Sequence, residues 1–347
     1  MKICVVGAGW FGCHIAKKLI DDGHDVKIFE KENDIFKNAS GNNQNRLHQG
    51  FHYPRSKKTI QISKEGFNLF KTEYSFLTKK IKNNIYSISN SKKTKINFAH
   101  YCKILKKFNL IFKKLNGKNL VIKNFKNLEG SIICNEELII ISKAIKYFRS
   151  KLESKIIYNF TVEDIQKYQD QFIINDQKFD FVINCTGFSL KTNKVNNLKY
   201  EYCAIFLYKK KSNKKKFSLT IMDGPFFTLY PWNEKNEFGL YSVKNSRLLV
   251  SKNLNQLKLK IQIKNNKQFL KKHRVLVEKN FQKYYPNFKK EFSFRKYLLS
   301  QRTIIENKFD QRVCNVKKNN GIIDIFPGKI DHIFYAYKKV KKCLKKF

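Results

Sequence analysis

Residues 2 to 6, KICVV, are a lysine followed by an unbroken apolar, mostly β-branched run, which predicts a strand buried on both faces. A short glycine-bearing break, GAGWFG, follows. Apolar positions then return at helical spacing in CHIAKKLIDDG, with Gly23 as the stop, and a second strand, DVKIFEK, closes on Glu30. The first thirty residues therefore predict a complete βαβ unit. Farther on, TIQISKEGFNLFKTEYSFLTKKI predicts an amphipathic helix, and IYSISNSKKTKINFAHYCKILKKF a strand or loop leading into another helix. EGSIICNEELIIISKAIKYFRSKL predicts a turn at Gly130 and then a helix, after which IIYNFTVEDI and QFIINDQKFDFVINCTG read as strands. Beyond residue 200 the alternating runs EYCAIFLYKK, FSLTIMDG, FFTLYPW and FGLYSVKN predict an antiparallel sheet. Two helices around 253 to 284 follow, and IIDIFPGKIDHIFYAYKKVKKCL predicts a strand, a glycine turn and a final helix.

This order implies an α/β protein with a Rossmann-like, discontinuous nucleotide-binding domain on a parallel sheet, formed by residues 1–80, 130–195 and 300–347. A second, α+β domain on an antiparallel sheet takes residues 81–129 and 196–299 and is expected to receive the substrate. No run of about 18 apolar residues occurs, and the N-terminus lacks the pattern of a signal peptide. A soluble, cytoplasmic protein is expected.

Composition changes this picture little. Of 347 residues, 42% are hydrophobic, enough to fill a real core. The eight cysteines never form CxxC, which argues against a zinc site and against a disulfide-built fold. A formal net charge of +44 would suit a polyanionic partner. Yet the lysines run from end to end with an excess of Asn and Ile, as a coding sequence rich in A and T would give, so no specific nucleic-acid partner is expected. Only KYFRSKLESK, the run 208–216 and the run 337–347 are dense, and 208–216 reads as a solvated hairpin or loop.

Chemistry enters with GxGxxG. Gly7 permits the tight turn off the strand, Gly9 lets backbone approach a pyrophosphate, and Gly12 allows helix to pack on sheet. Trp10 and Phe11 lie between them at the helix start, whose free N–H groups face a phosphate. Glu30, eighteen residues beyond Gly12, can accept hydrogen bonds from a ribose, disfavours a 2′-phosphate, and is followed by Lys31. Instead of passing straight into a helix, the chain then makes a polar excursion, NASGNNQNRLHQGFHYPRS, that gathers Arg46, His48, His52, Tyr53 and Arg55.

At this point the sequence resembles the D-amino acid oxidase-like (DAO) superfamily of FAD-dependent oxidoreductases. VVGAGWFGCHIA with Glu30, SGNNQNRLHQGFHYPRS, DFVINCTG and IIDIFPGKIDHIF carry the resemblance, over 40 to 50% of the chain. It implies an FAD-binding domain of the Rossmann-like kind, with noncovalent FAD. It further implies that Ser40, Gly41 and Asn42 pass the pyrophosphate or ring, that Arg46 lies near the flavin face, and that Val162, on a strand, meets the adenine. Thr186 and Gly187 would turn close to the cofactor, and Gly328, Lys329 and Ile330 would open the last helix beside the flavin's pyrimidine end.

An enzyme removing a hydride from the carbon of a C–N or C–O bond must hold its substrate rigidly, often by a carboxylate, and an arginine fork does this well. Arg46 or Arg55, and more distantly Arg302 or Arg312, can supply the fork. His48, His52 and Tyr53 can move the accompanying proton or merely shape the pocket. Asp223, Tyr230 and Tyr241 can roof the site or be core, and Cys13 and Cys185 read as packing residues. The leading expectation is oxidation of a small, anionic amine, amino acid or hydroxy acid. The alternatives are a flavoprotein of other chemistry, such as a sugar-nucleotide mutase or a modifying enzyme acting on an anionic carrier, and a nucleotide-sensing or nucleic-acid-associated protein that has lost catalysis.

Overall fold

The computed structural model describes residues 1–116, 122–187, 189–190, 192, 197–212, 217–233, 236–307 and 311–345. Its first layer is a six-stranded sheet in the order Asn315–Asn319, Ile322–Phe326, Phe181–Asn184, Lys2–Val6, Asp25–Phe29 and Ile156–Ile157. All neighbours are parallel except the edge hairpin 315–326. The opening strand lies at the centre with Ile3, Cys4 and Val5 fully buried, which is why its run carries no polar alternation. Helices Trp10–Asp21, Lys57–Tyr74, Ile141–Leu152 and Ile333–Leu344 cover one face through Ile15, Leu19, Phe70, Phe148 and Phe334. A three-stranded antiparallel ribbon, 166–179, covers part of the other by setting Phe172, Ile174 and Phe179 against Cys4, Val6 and Val182.

The second layer is a large mixed sheet. Its 13-residue strand Leu198–Lys210 pairs along one side with Phe292–Ile305, and along the other with Arg247–Ser251 and Glu237–Ser242 in turn. From there the order continues through Phe227–Pro231, Ser218–Met222, Asn84–Ser89, Leu128–Cys134 and Phe112–Leu115. One pair, Ser218–Met222 with Asn84–Ser89, is parallel. Leu257, Leu270, Val277 and Phe281 of helices Leu254–Lys264 and Lys267–Phe281 close one face.

Several expectations need correction. Gly130 lies inside a strand, not a turn, because the Phe98 ring takes the place a side chain would fill there. The segment NFTVEDI is not a strand, since pairing ends at Ile157. Lysine density misled at the start of 208–216: Tyr208 and Lys210 are buried in a strand, while 213–216 lie outside the described residues. The strands Leu128–Cys134 and Phe292–Ile305 belong to the large sheet and straddle the expected boundaries at 129/130 and 299/300. Among the described residues no helix is long and apolar enough to cross a membrane.

A small sheet that no pattern announced positions the site. In it Glu137–Ile139 pairs with both Arg46–Leu47 and Thr78–Lys80. After Arg46 the chain turns through the HYPR segment into Ser56, whose Oγ accepts the Thr59 N–H and caps helix Lys57–Tyr74, a contact worth about 1 kcal/mol.

Candidate active site

A cavity of about 830 Å³ runs between the two sheets. At one end lies the glycine turn. Gly7 has φ +98°, a value that penalises any side chain, and a Cβ on Gly12 would stand 1.9 Å from the Gly7 oxygen. Gly12 thus serves the packing of helix on turn and does not line the cavity. Gly9 does line it, and a Cβ there would meet Ser40 Oγ at 2.6 Å. Ser40 in turn accepts the Trp10 N–H at 3.0 Å, so its hydroxyl stands at the helix start. The Trp10 indole points into the core, stacked 4.8 Å from Phe36, and the site uses mainly its backbone; Phe11 also borders the cavity.

The Glu30 carboxylate accepts the N–H groups of Ala8 at 2.5 Å and Glu32 at 3.0 Å, while Lys31 turns outward to Glu32. Val162 reaches the cavity wall from a loop rather than a strand. Thr186 is fixed by Asn184, whose Oδ1 accepts both its N–H and its hydroxyl, and Gly187 turns with φ +66°. The excursion is stitched to the large sheet, because Asn42 donates to the Leu299 oxygen and Asn38 accepts the Gln301 N–H.

The other end is built around Arg46. Its guanidinium is buried 4.0 Å above the Tyr230 ring, and Nη1 donates to Tyr86 Oη at 2.5 Å. Tyr86 donates onward to Glu136 Oε2 at 2.5 Å, and Glu136 Oε1 accepts the Gln49 N–H at 2.8 Å. His48 Nδ1 lies 3.5 Å from Glu136 Oε1, and the His48 and His52 rings are 5.0 Å apart. Burial, then the charges of Lys329 and Arg46, hold His48 well below the usual imidazole range. Burial, then His48 and Lys329, do the same to His52, so both rings are neutral. Burial raises the Glu136 carboxyl, against the opposing pull of Arg46, Tyr86 and Gln49.

The arginines divide sharply. Arg55 is committed to Asp223, with Nε to Oδ2 at 2.8 Å and Nη2 to Oδ1 at 3.3 Å. Arg302 donates to Glu201 at 2.7 Å and to Tyr241 Oη at 2.8 Å. Glu201 also faces Arg247, and although burial would raise its carboxyl, the two arginines hold it below its usual value. Arg312 lines the cavity and has no ion-pair partner among the described residues. Asp223 and Tyr241 border the cavity, whereas Tyr230 does not: it lies beneath Arg46 and donates to the Glu137 oxygen. Cys13 is core, and Cys185 borders the cavity with its thiol raised by burial.

Gly328, Lys329 and Ile330 arrive on the same wall from the loop before the last helix. Lys329 Nζ lies 4.9 Å from the Tyr53 ring centre, and its backbone N–H donates to His332 Nδ1 at 3.2 Å. His332 Nε2 is 3.1 Å from Ser63 Oγ, and the neighbouring Asp331 carboxyl is fully buried. Burial pushes Asp331 up to about 7 and His332 down to about 3. Pattern reading missed Tyr86, Glu136 and Glu201, because nothing local marks which polar residues of apolar strands turn toward a partner.

The residues fit a large dinucleotide. Among the described residues Arg46 Nε and Nη2, His52 Nδ1 and Thr228 Oγ1 are buried without a hydrogen-bond partner, and His48 Nδ1 faces only Glu136 Oε1, at 3.5 Å. Each such orphan costs about 1–3 kcal/mol unless a bound group pairs it. Together with the room that Gly9 leaves at the helix start, they describe a wall made for a long ligand with a polar edge.

Comparison with known proteins agrees. The family model described as FAD dependent oxidoreductase (DAO) matches residues 2–286. The chain is 29% identical over 342 residues to the FAD-dependent monooxygenase FPY4 of Fusarium mangiferae, covering 97% of this chain and 89% of that one. Its fold is similar to L-alpha-glycerophosphate oxidase from Mycoplasma pneumoniae, solved with FAD bound, at TM-score 0.76 and 14% identity over 100% and 95% of the two chains. It is also similar to glycine oxidase from Geobacillus kaustophilus, at TM-score 0.73 and 11% identity over 99% and 94%.

Proposed function

The chain belongs to the DAO family of FAD-dependent oxidoreductases, and from that premise we propose that it oxidises a small anionic amine, amino acid or hydroxy acid using noncovalently held FAD. Gly7, Gly9, Phe11, Glu30, Ser40, Asn42, Val162, Thr186, Gly187 and the loop at Gly328–Lys329–Ile330 would hold the cofactor. When bound, FAD supplies the acceptor for the electron pair that leaves the substrate.

The observation that carries this reading is the open edge of Arg46. Its Nε and Nη2 point nowhere else, and two parallel N–H groups suit a carboxylate. His48 and His52, kept neutral by burial, are acceptors for the proton that leaves a substrate N–H or O–H. Lys329 and Arg312 add positive charge without committed anions among the described residues, which favours an anionic substrate. The Arg55–Asp223 pair ties the excursion to the large sheet and keeps that wall in place.

Likeness to FPY4 favours a second reading, insertion of one atom of dioxygen into the substrate while the other leaves as water, the two electrons coming from an external reduced nicotinamide. The two separate in one experiment. Purified holoprotein is mixed anaerobically with panels of amino acids, amines and hydroxy acids. In the first reading a substrate bleaches the yellow colour without oxygen. If none does, and product formed under labelled dioxygen with added reduced nicotinamide carries the label, the oxidase reading fails and the monooxygenase reading stands.

A further inference from the structure

We propose that Glu136 is a positioning residue that fixes the orientation and tautomer of His48 and thereby selects the ring nitrogen offered to the substrate. The inference rests on the oxidoreductase reading above. Glu136 lies just before the short strand Glu137–Ile139, and pairing of Leu47 with Glu137 brings it beside the Arg46–His48 segment. Its side chain is wholly buried and both oxygens are used. Oε1 accepts the Gln49 N–H at 2.8 Å and faces His48 Nδ1 at 3.5 Å. Oε2 accepts the Tyr86 hydroxyl at 2.5 Å and stands 3.8 Å from Arg46 Nη1. One carboxylate therefore touches the framework of both the anion-binding arginine and the nearest imidazole.

Elementary chemistry gives the consequence. A neutral imidazole carries one N–H, and a carboxylate facing one nitrogen draws the proton to it. With its oxygens held by Gln49 and Tyr86, Glu136 can only accept from His48. The His48 proton then resides on Nδ1, and Nε2 keeps its lone pair. Nδ1 is fully enclosed, whereas Nε2 is not among the enclosed, unpartnered nitrogens, and His48 lines the cavity. The remaining charged and titratable neighbours, Arg46, Lys329, His52 and His332, disfavour a second proton on the ring. Glu136 thus turns a histidine with two possible faces into an acceptor aimed one way.

The test needs no substrate. Full-length holoprotein labelled with ¹⁵N-histidine is examined by long-range ¹H–¹⁵N correlation at pH 8, with His48→Gln assigning the signals. Wild type is expected to show His48 almost wholly as the neutral Nδ1–H form. Glu136→Gln, which also lets an amide N–H face the ring, should move at least half of the population to Nε2–H. Glu136→Ala should move nearly all of it, since free imidazole side chains prefer that form, and Glu136→Asp should restore Nδ1–H. If Glu136→Ala does not fold, the Gln and Asp variants decide. Either a His48 that is cationic or Nε2–H in wild type, or a signal unchanged in Glu136→Gln, overturns the proposal. Because the tautomer is read without turnover, this outcome is independent of whether any amine, amino acid or hydroxy acid bleaches the flavin.

Discussion

The two ends of the cavity satisfy their polar groups in opposite ways. At the glycine turn the Glu30 carboxylate, the Trp10 N–H and the Thr186 hydroxyl all have protein partners within a few residues of the turn or in the excursion that crosses it. At the Arg46 end, among the described residues, three nitrogens of Arg46 and His52 are enclosed with no partner, and His48 Nδ1 faces Glu136 at 3.5 Å. The first end is a backbone cradle complete in itself, tolerant of a ligand because glycines leave room. The second is unfinished, and its stability deficit is the expense of holding donors ready for something that arrives. Disturbing the first should therefore act through folding and cofactor retention, and disturbing the second through chemistry.

The largest expected effect breaks the cradle. Gly12→Ala replaces hydrogen with a methyl 1.9 Å from the Gly7 oxygen, and backbone on both sides cannot yield cheaply. In an open helix the same change would stabilise by about 1 kcal/mol. Here it should cost about 3 kcal/mol and empty the protein of flavin. Thermal unfolding together with the flavin-to-protein absorbance ratio measures both. A variant that keeps wild-type stability and full flavin would show that the turn and helix are not packed as described.

A smaller effect probes what supports the unfinished end. Burial raises Asp331 to about 7 from an ordinary 3.8. The fold thus prefers the protonated acid, so its favourable contribution is complete below about pH 4 and is lost as pH rises through 7. Asp331→Asn removes that dependence. The variant's margin over wild type, already open at pH 5, should grow by about 1–3 kcal/mol more by pH 8, the worth of roughly two pH units, measured by urea unfolding. His332, lowered to about 3, contributes in the opposite sense, but it is present in both proteins and cancels in the difference. A difference that stays flat with pH would mean that water reaches Asp331.

The same contrast governs what could be read from the sequence. Gly7, Gly9, Gly12 and Glu30 are legible because their roles follow from fixed offsets within one βαβ unit. The excursion was legible as an anomaly, a cluster of Arg46, His48 and His52 where a helix was due. Its wiring was not. Tyr86 and Glu136 reach Arg46 only because a two-residue strand, Arg46–Leu47, pairs with Glu137–Ile139, and strands that short leave no periodic trace. Nor could spacing show that Asp223 would take up Arg55, 168 residues away, and Glu201 take up Arg302, 101 away, two of the four arginines named as candidates for the fork.

Arg302 gives the smallest and most discriminating effect. It borders the cavity, as Arg46 does, but Nε and Nη2 already hold Glu201 and Tyr241. Glu201 retains Arg247 at 3.3 Å when Arg302 is lost, so its buried charge is not left alone. Arg302→Gln should then cost about 1 kcal/mol of stability, typical of one charged hydrogen bond partly compensated. On a substrate found by anaerobic bleaching, kcat/KM should fall by less than about tenfold, whereas Arg46→Gln should lower it about a hundredfold or more, the loss of a charge-assisted bidentate contact to the substrate carboxylate. Arg302 has a role in the sheet and Arg46 in the reaction if the two numbers separate. Equal losses would place substrate against both guanidiniums, and the line drawn between paired and unpaired arginines would have to move.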